Sequence, residues 1–319
     1  MNESATAAPA GRYARMRPVI PDVSPRRSDP GTRLDGDQVD APATAPPRGA
    51  HADADYGSLH DLLDRVERDT HAAGPGRDPT ALPAATDCRR SLSAIAAAGF
   101  SDVHLRPVPY LNQGARPWAA HPYPRRPAVP GESRTIQQAG CAPTALAMID
   151  CGLRAAHTSP IATADFAVRH RHSGSSNGAG TDTGRLARDW AAAKGLDLTA
   201  ATSARPSKNV DVLKAGLQAN GIALVSVGVD PATGLGHFTA GSHVIVINGC
   251  ARRGGQDWFA IANPGRARQA DHHAGLLATD AQVTQIDGAV NGVGQVWISR
   301  QQLEAEMKRC FVFRPGVQS

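Results

Sequence analysis

From Ile222 onward the chain stops reading as helix. Ile222-Ala223-Leu224-Val225-Ser226-Val227 and Ser242-His243-Val244-Ile245-Val246-Ile247-Asn248-Gly249 are short apolar runs rich in β-branched residues, and Trp258-Phe259-Ala260-Ile261-Ala262 is a third. Runs of this length, bounded by Gly, Asn and Pro, read as strands. Arg253-Gly254-Gly255-Gln256 supplies the turn between the last two, since a two-residue hairpin loop needs residues that accept positive φ. Ser299-Arg300-Gln301-Gln302 has the form of a capping box opening a helix to about Lys308, and Cys310 to Phe313 reads as a last strand. Upstream, the period is helical. A helix is expected from Cys141 to about Gly152, another from about Ile161 to His170 behind Ser159-Pro160, and a third from about Thr183 to Lys194. After a short strand, Leu196 to Leu198, a further helix capped by Ser207 or Asn209 runs to Ala219. Helices come first and an antiparallel sheet second, which is an α+β layout.

Aromatic residues make up only 4% of the 319 residues, so part of the chain is expected to lie outside any core. That part is residues 1–103, where Pro, Arg, Asp, Ala and Gly dominate. It reads as a largely disordered extension with two short helices. One places Leu59, Leu62, Leu63 and Val66 on a single face, and the other runs from about Cys88 to Ala98. Residues 104–319 form the expected domain. The net charge of +5 is mild, and the basic pairs Arg26-Arg27, Arg125-Arg126 and Arg252-Arg253 are not interleaved with aromatics, which argues against nucleic acid as a partner. No apolar run reaches the length of a membrane span or forms a signal core. The expected location is cytoplasmic, or outside the cell by a route without a cleaved signal.

The five cysteines, Cys88, Cys141, Cys151, Cys250 and Cys310, are odd in number, widely spaced and without a Cys-x-x-Cys pair. Neither a disulfide framework nor a structural zinc site is expected. His170-Arg171-His172 and His272-His273 lack cysteines or carboxylates at zinc spacing and read as solvated loop residues. The glycine-rich stretch Ser173 to Gly184 lacks the Gly-Lys-Ser/Thr ending of a phosphate loop and has no strand before it. No metal or organic cofactor is expected.

One cysteine stands apart. In Gly140-Cys141-Ala142-Pro143-Thr144-Ala145-Leu146-Ala147-Met148-Ile149, Cys141 falls between a glycine and a run of helix formers, with Pro143 in the first turn. A helix N-terminus carries partial positive charge, which favours the thiolate. A nucleophilic thiol also needs a base, a group that orients the base, and donors for the oxyanion. His243 opens a strongly apolar strand, and Asn263 ends the next one across a hairpin, where its carboxamide can reach the imidazole. His237, in the preceding loop, is the rival base.

In this order the residues resemble the papain-like cysteine peptidases of the bacteriocin-leader-processing type, in the broad bacterial family thirty-nine-like group. Four blocks carry the resemblance, over roughly residues 104–313. They are Val108-Pro109-Tyr110-Leu111-Asn112-Gln113 with Trp118-Ala119, then Gly140 to Met148, then Gly236-His237-Phe238-Thr239 with Gly241 to Gly249, and last Ala262-Asn263-Pro264-Gly265. The resemblance implies a papain-like fold, with Cys141 as nucleophile, His243 as base and acid, and Asn263 as orienter. It also implies an oxyanion glutamine, with Gln113 at the matching position and Gln137 and Gln138 as rivals nearer the cysteine. The chain departs from the pattern at Ala142, at Asn263 where the group usually has Asp, and at Ser242 before the histidine.

The expected activity is thiol-dependent hydrolysis of a peptide or other amide bond, acting on a peptide or protein substrate. Acyl transfer and side-chain deamidation use the same parts. A catalytically silent binding module is the reading from another class, told apart by thiol reactivity. The composition of the first 85 or so residues also matches an injected bacterial effector, an ordinary cytosolic enzyme with a leader, or a propeptide.

Overall fold

A computed structural model of the chain describes residues 78–125, 133–174, 180–232, 236–239, 241–265 and 282–316. The expected helix over Leu59 to Val66, the His272-His273 pair and the centre of the glycine-rich loop lie outside them. Along the chain come α1 (Ala85–Ala97), β1 (Ser101–Leu105), α2 (Ile136–Ala139), α3 (Cys141–Arg154) and α4 (Pro160–Arg169). Next are α5 (Thr183–Lys194), β2 (Leu196–Ala201), α6 (Pro206–Gln218), β3 (Ile222–Val227) and β4 (His243–Arg253). The last are β5 (Gln256–Ala262), β6 (Val283–Gln285), β7 (Val296–Ser299), α7 (Arg300–Glu306) and β8 (Met307–Pro315). Among the described residues seven helices pack on one eight-stranded antiparallel sheet, an α+β architecture.

The sheet order is β2-β8-β3-β4-β5-β7-β6, with β1 also on β4. β4 is the longest strand and organises the rest. β3 pairs its first half, His243 to Ile247, and β1 its second half, Gly249 to Arg252. β5 pairs with it from Val246 to Arg253. The β4–β5 turn is Gly254-Gly255, with φ of 57° and 78°, the positive values a tight hairpin needs.

Side chains alternate across the strands, and both faces are covered. On one face Ile222, Leu224, Val244, Val246, Phe311 and Phe313 pack with Leu146 and Ile149 of α3, Phe166 of α4 and Trp190 of α5. On the other, Ala223, Val225, Ile245, Ile247 and Val312 pack with Val210, Leu213 and Leu217 of α6 and Leu303 of α7. This double burial is why β3 and β4 read as continuous apolar runs rather than as alternating ones.

A third cluster extends the first face. Cys88, Leu92 and Ile95 of α1 pack with Phe100, Trp258 and Trp297, and the Phe100 ring lies 4.7 Å from that of Trp297. The second helix of the expected extension is therefore part of the folded core, which takes in residues before 104. β1, β6 and β7 were not expected as strands; β1 has five residues and β6 three, too few for a periodic signal. Asn209 does not cap α6, which begins at Pro206; its side chain instead bonds the backbone of Ser203 through both amide atoms, at 2.9 Å each. Among the described residues no helix is long and apolar enough to cross a membrane.

Leu146 is fully buried between α3 and the sheet. Leu146→Ala is expected to destabilise the protein by about 2–5 kcal/mol, the range for a buried leucine that leaves a cavity. Urea unfolding followed by circular dichroism checks this, the midpoint falling while the m value stays constant.

Candidate active site

Cys141 is the first residue of α3, and the joint before it is a single glycine. Gly140 is at once the last cap of the short α2 and the first cap of α3. A β-carbon at Gly140 would lie within 2.5–2.8 Å of Ile136 atoms, two of them backbone, so no other residue fits without movement. α2 is itself fixed at its start, where Gln138 Oε1 accepts from the Thr135 N–H at 3.0 Å. The sulfur thus sits at a helix start whose first N–H groups have no carbonyl partner within the helix.

The sheet brings the other two groups to it. A one-residue bulge in β4 shifts the register between Ile247 and Gly249, so that Ala262 stands opposite Val246 rather than Ile247. Asn263 is carried one residue nearer the start of β4, where His243 lies. Bulges re-aim strands in this way beside functional sites. The bulged residue, Asn248, is buried, and its Nδ2 donates to the carbonyls of Arg106 at 2.7 Å and Gly292 at 2.9 Å.

His243 Nε2 lies 2.8 Å from Asn263 Oδ1. The same oxygen accepts the backbone N–H of Gly265 at 2.9 Å, and only the carboxamide oxygen can accept from a backbone donor. Its partner Nε2 must therefore carry a proton, and Nδ1 is left for the Cys141 thiol. Packed surroundings alone would push the Cys141 pKa up, but the hydrogen bond and charge of His243, with the backbone N–H groups of Val244 and Ala142, outweigh them and hold it below the ordinary thiol value. Burial alone would lower the His243 pKa, whereas the hydrogen bond and charge of Cys141 and the bond to Asn263 raise it above the usual imidazole value. The two shifts run in opposite directions and share the Cys141–His243 contact as a cause, so the two groups titrate as a coupled pair.

The remaining cysteines behave in the opposite way. Cys88, Cys151, Cys250 and Cys310 are all buried, and burial pushes each thiol up to about 12. Only Cys141 is partly exposed.

Gln113 is brought to the same place from the other side. Its backbone N–H donates to the carbonyl of Pro264 at 2.9 Å, and its Nε2 donates to the carbonyl of Gln137, in α2, at 2.9 Å. Its side chain is buried, and Oε1 has no partner among the described residues. The rivals are placed differently. Gln138 is exposed and occupied in capping α2, and Gln137 is exposed. His237 is turned away onto Glu306, a fully buried carboxylate that accepts from both its ring Nδ1 and its backbone N–H.

Tyr123 was not anticipated. It is fully buried, its hydroxyl pairs with Thr181 Oγ1 at 2.7 Å, and burial, opposed by that bond, pushes its phenol pKa well above the ordinary value. In sequence it sits in a proline-rich connection with no periodicity to single it out. His172, read from sequence as solvated, is buried and bonded to Asp189 at 2.8 Å.

No protein-family model matches the chain, and no curated protein matches it.

Alkylation by iodoacetamide, mapped by peptide mass spectrometry against pH, is expected to modify Cys141 well below the free-thiol pKa of about 8.5, with the four other cysteines silent. In His243→Ala the largest of the influences that oppose burial are lost, and only the backbone N–H groups of Val244 and Ala142 remain. The midpoint for Cys141 then rises to the free-thiol value or beyond.

Proposed function

We propose that the protein is a thiol-dependent hydrolase of papain-like organisation that cleaves peptide or other amide bonds. The observation that carries this reading is the shared Asn263 Oδ1. It fixes the His243 tautomer with Nδ1 toward the thiol, the arrangement a cysteine nucleophile requires. The order of the blocks along the chain, and their resemblance to the leader-processing peptidases, support it.

On this reading the Cys141 thiolate attacks the amide carbonyl. A C–S bond forms and the carbonyl electrons move to oxygen. That oxyanion is bonded by the backbone N–H at the start of α3 and by the second N–H of Gln113 Nε2, whose first is held by Gln137. The oxyanion collapses, the C–N bond breaks, and the Nδ1 proton of His243 passes to the leaving amine. Water, deprotonated by the same nitrogen, then hydrolyses the thioester and restores the pair. Asn263 stays bonded to Nε2 throughout and keeps the ring in plane.

A fluorogenic peptide library, read with the full chain and its variants, tests the proposal. Turnover is expected in the wild type and absent in Cys141→Ala, with unchanged circular dichroism. Gln113→Ala should lose about 10²–10³ in kcat, the usual effect of removing one oxyanion donor. Turnover that survives Cys141→Ala would overturn the assignment. A wild-type chain that alkylates rapidly yet cleaves nothing would point to acyl transfer or deamidation by the same residues.

A further inference from the structure

We propose that His170, His172 and Asp189 form a binding site for a divalent transition-metal ion, with Zn²⁺ the best match to the donor set. One ligand atom from each residue lies within 4.8 Å of the other two. Two imidazoles and a carboxylate are a donor set that zinc favours. The site shares no residue with the Cys141 centre and does not depend on the function assigned to it.

The convergence comes from how α4 ends. His170 is its C-cap, and Arg171 adopts the left-handed conformation, with φ of 61°. The Arg171 N–H bonds the Val168 carbonyl at 3.1 Å, and the His172 N–H bonds that of Ala167 at 2.7 Å. This pair of bonds is a Schellman ending, with arginine where glycine is usual. It fixes the backbone on both sides of Arg171, and the two imidazole rings lie nearly parallel, 16° apart, with centroids 6.1 Å from each other.

Each donor is held before any ion arrives. The His170 ring stacks on Phe166 at 4.1 Å, and Phe166 is braced edge-on by Trp190 at 5.0 Å. His172 is buried, and Asp189, next to Trp190 on α5, is bonded to its Nε2 at 2.8 Å. The last carbonyls of α4 add partial negative charge, which favours a cation. Asp189 is half exposed and His170 exposed, so the site is open to solvent.

A hydrogen bond satisfies only the His172–Asp189 pair and leaves the His170 nitrogen facing it without a role. An ion would engage all three. Ligand atoms on a tetrahedral zinc stand roughly 3.4 Å apart, given bonds of about 2.1 Å. The ligand atoms lie within 4.8 Å of one another, so closing to that spacing requires the exposed His170 ring and the half-exposed carboxylate to move inward. Metal on Nε2 moves the ring proton of His172 to Nδ1, which is buried and without a partner among the described residues. Binding should therefore be about 10–100-fold weaker than at a site whose second nitrogen is bonded. The Asp182 N–H already ties the His172 carbonyl to the start of α5 at 2.8 Å, and through Asp189 the ion would clamp the end of α4 to the middle of that helix as well.

The test uses the full chain carrying Cys141→Ala, which removes the thiolate as a competing zinc ligand. Titration calorimetry with Zn²⁺ alone is expected to give one saturable site per chain and a rise in melting temperature. Adding Asp189→Asn or His170→Ala should weaken that site at least tenfold and abolish the thermal shift. Since the His170 ring stacks on Phe166 and Asp189 bonds the buried His172, each variant's own metal-free melting curve is the baseline, and only the zinc-dependent shift is compared. Zinc binding that is absent from the parent, or unchanged in both variants, would overturn the proposal.

Discussion

A single carboxamide oxygen anchors the candidate site. Asn263 Oδ1 accepts one bond from the backbone of Gly265 and one from His243. The first fixes which atom of the amide points inward. The second converts that choice into a tautomer, and hence into an imidazole nitrogen available to sulfur. Remove the backbone bond and the amide could turn its NH₂ toward the ring, which would demand the opposite tautomer. The contact between His243 and Cys141 thus rests on a turn three residues long, Asn263-Pro264-Gly265. The same turn receives the N–H of Gln113 at the Pro264 carbonyl, so His243 and Gln113 are positioned by one piece of backbone.

The scaffold supplies that turn with little freedom to move. β4 is paired on both edges and buried on both faces, and the helix bearing Cys141 packs across its start. Close contact is made possible by absent side chains. At Gly152 a β-carbon would fall 2.7 Å from Ile222 Cδ1 and 2.8 Å from Val108 Cγ1, so one of these neighbours or α3 itself would have to shift. Interiors of this density transmit such a displacement rather than absorb it.

The legible parts of the sequence were those with short-range signatures. β3 and β4 declare themselves by β-branched runs, the hairpin by Gly254-Gly255, and Cys141 by a glycine before a helical run. Cys141, His243 and Asn263 each stood at an element boundary, and the structure brings them together. What could not be read depends on long-range register. The bulge at Asn248 is invisible in composition, because its cause is a pair of carbonyls, Arg106 and Gly292, far away in the chain. The burial of α1 is of the same kind, since its apolar residues are few and acquire a partner only when Trp258 and Trp297 arrive from the sheet. Asp189 lies seventeen residues beyond His172, so no local spacing rule joins them. The glycine-led ending that would have marked α4 is disguised by Arg171.

The length of the β4–β5 hairpin has a practical consequence. His243 and Asn263 stand at its open end and Gly254-Gly255 at its closed end, and β4 runs for 11 residues from His243 to Arg253. At about 3.3 Å per residue the tip lies roughly 30 Å from the imidazole. It is a solvent-facing turn whose geometry is set locally. An epitope, a dye or a surface-attachment peptide grafted there would sit at the far end of the sheet from the thiol, and the protein could be immobilised by that tip with its cysteine facing outward.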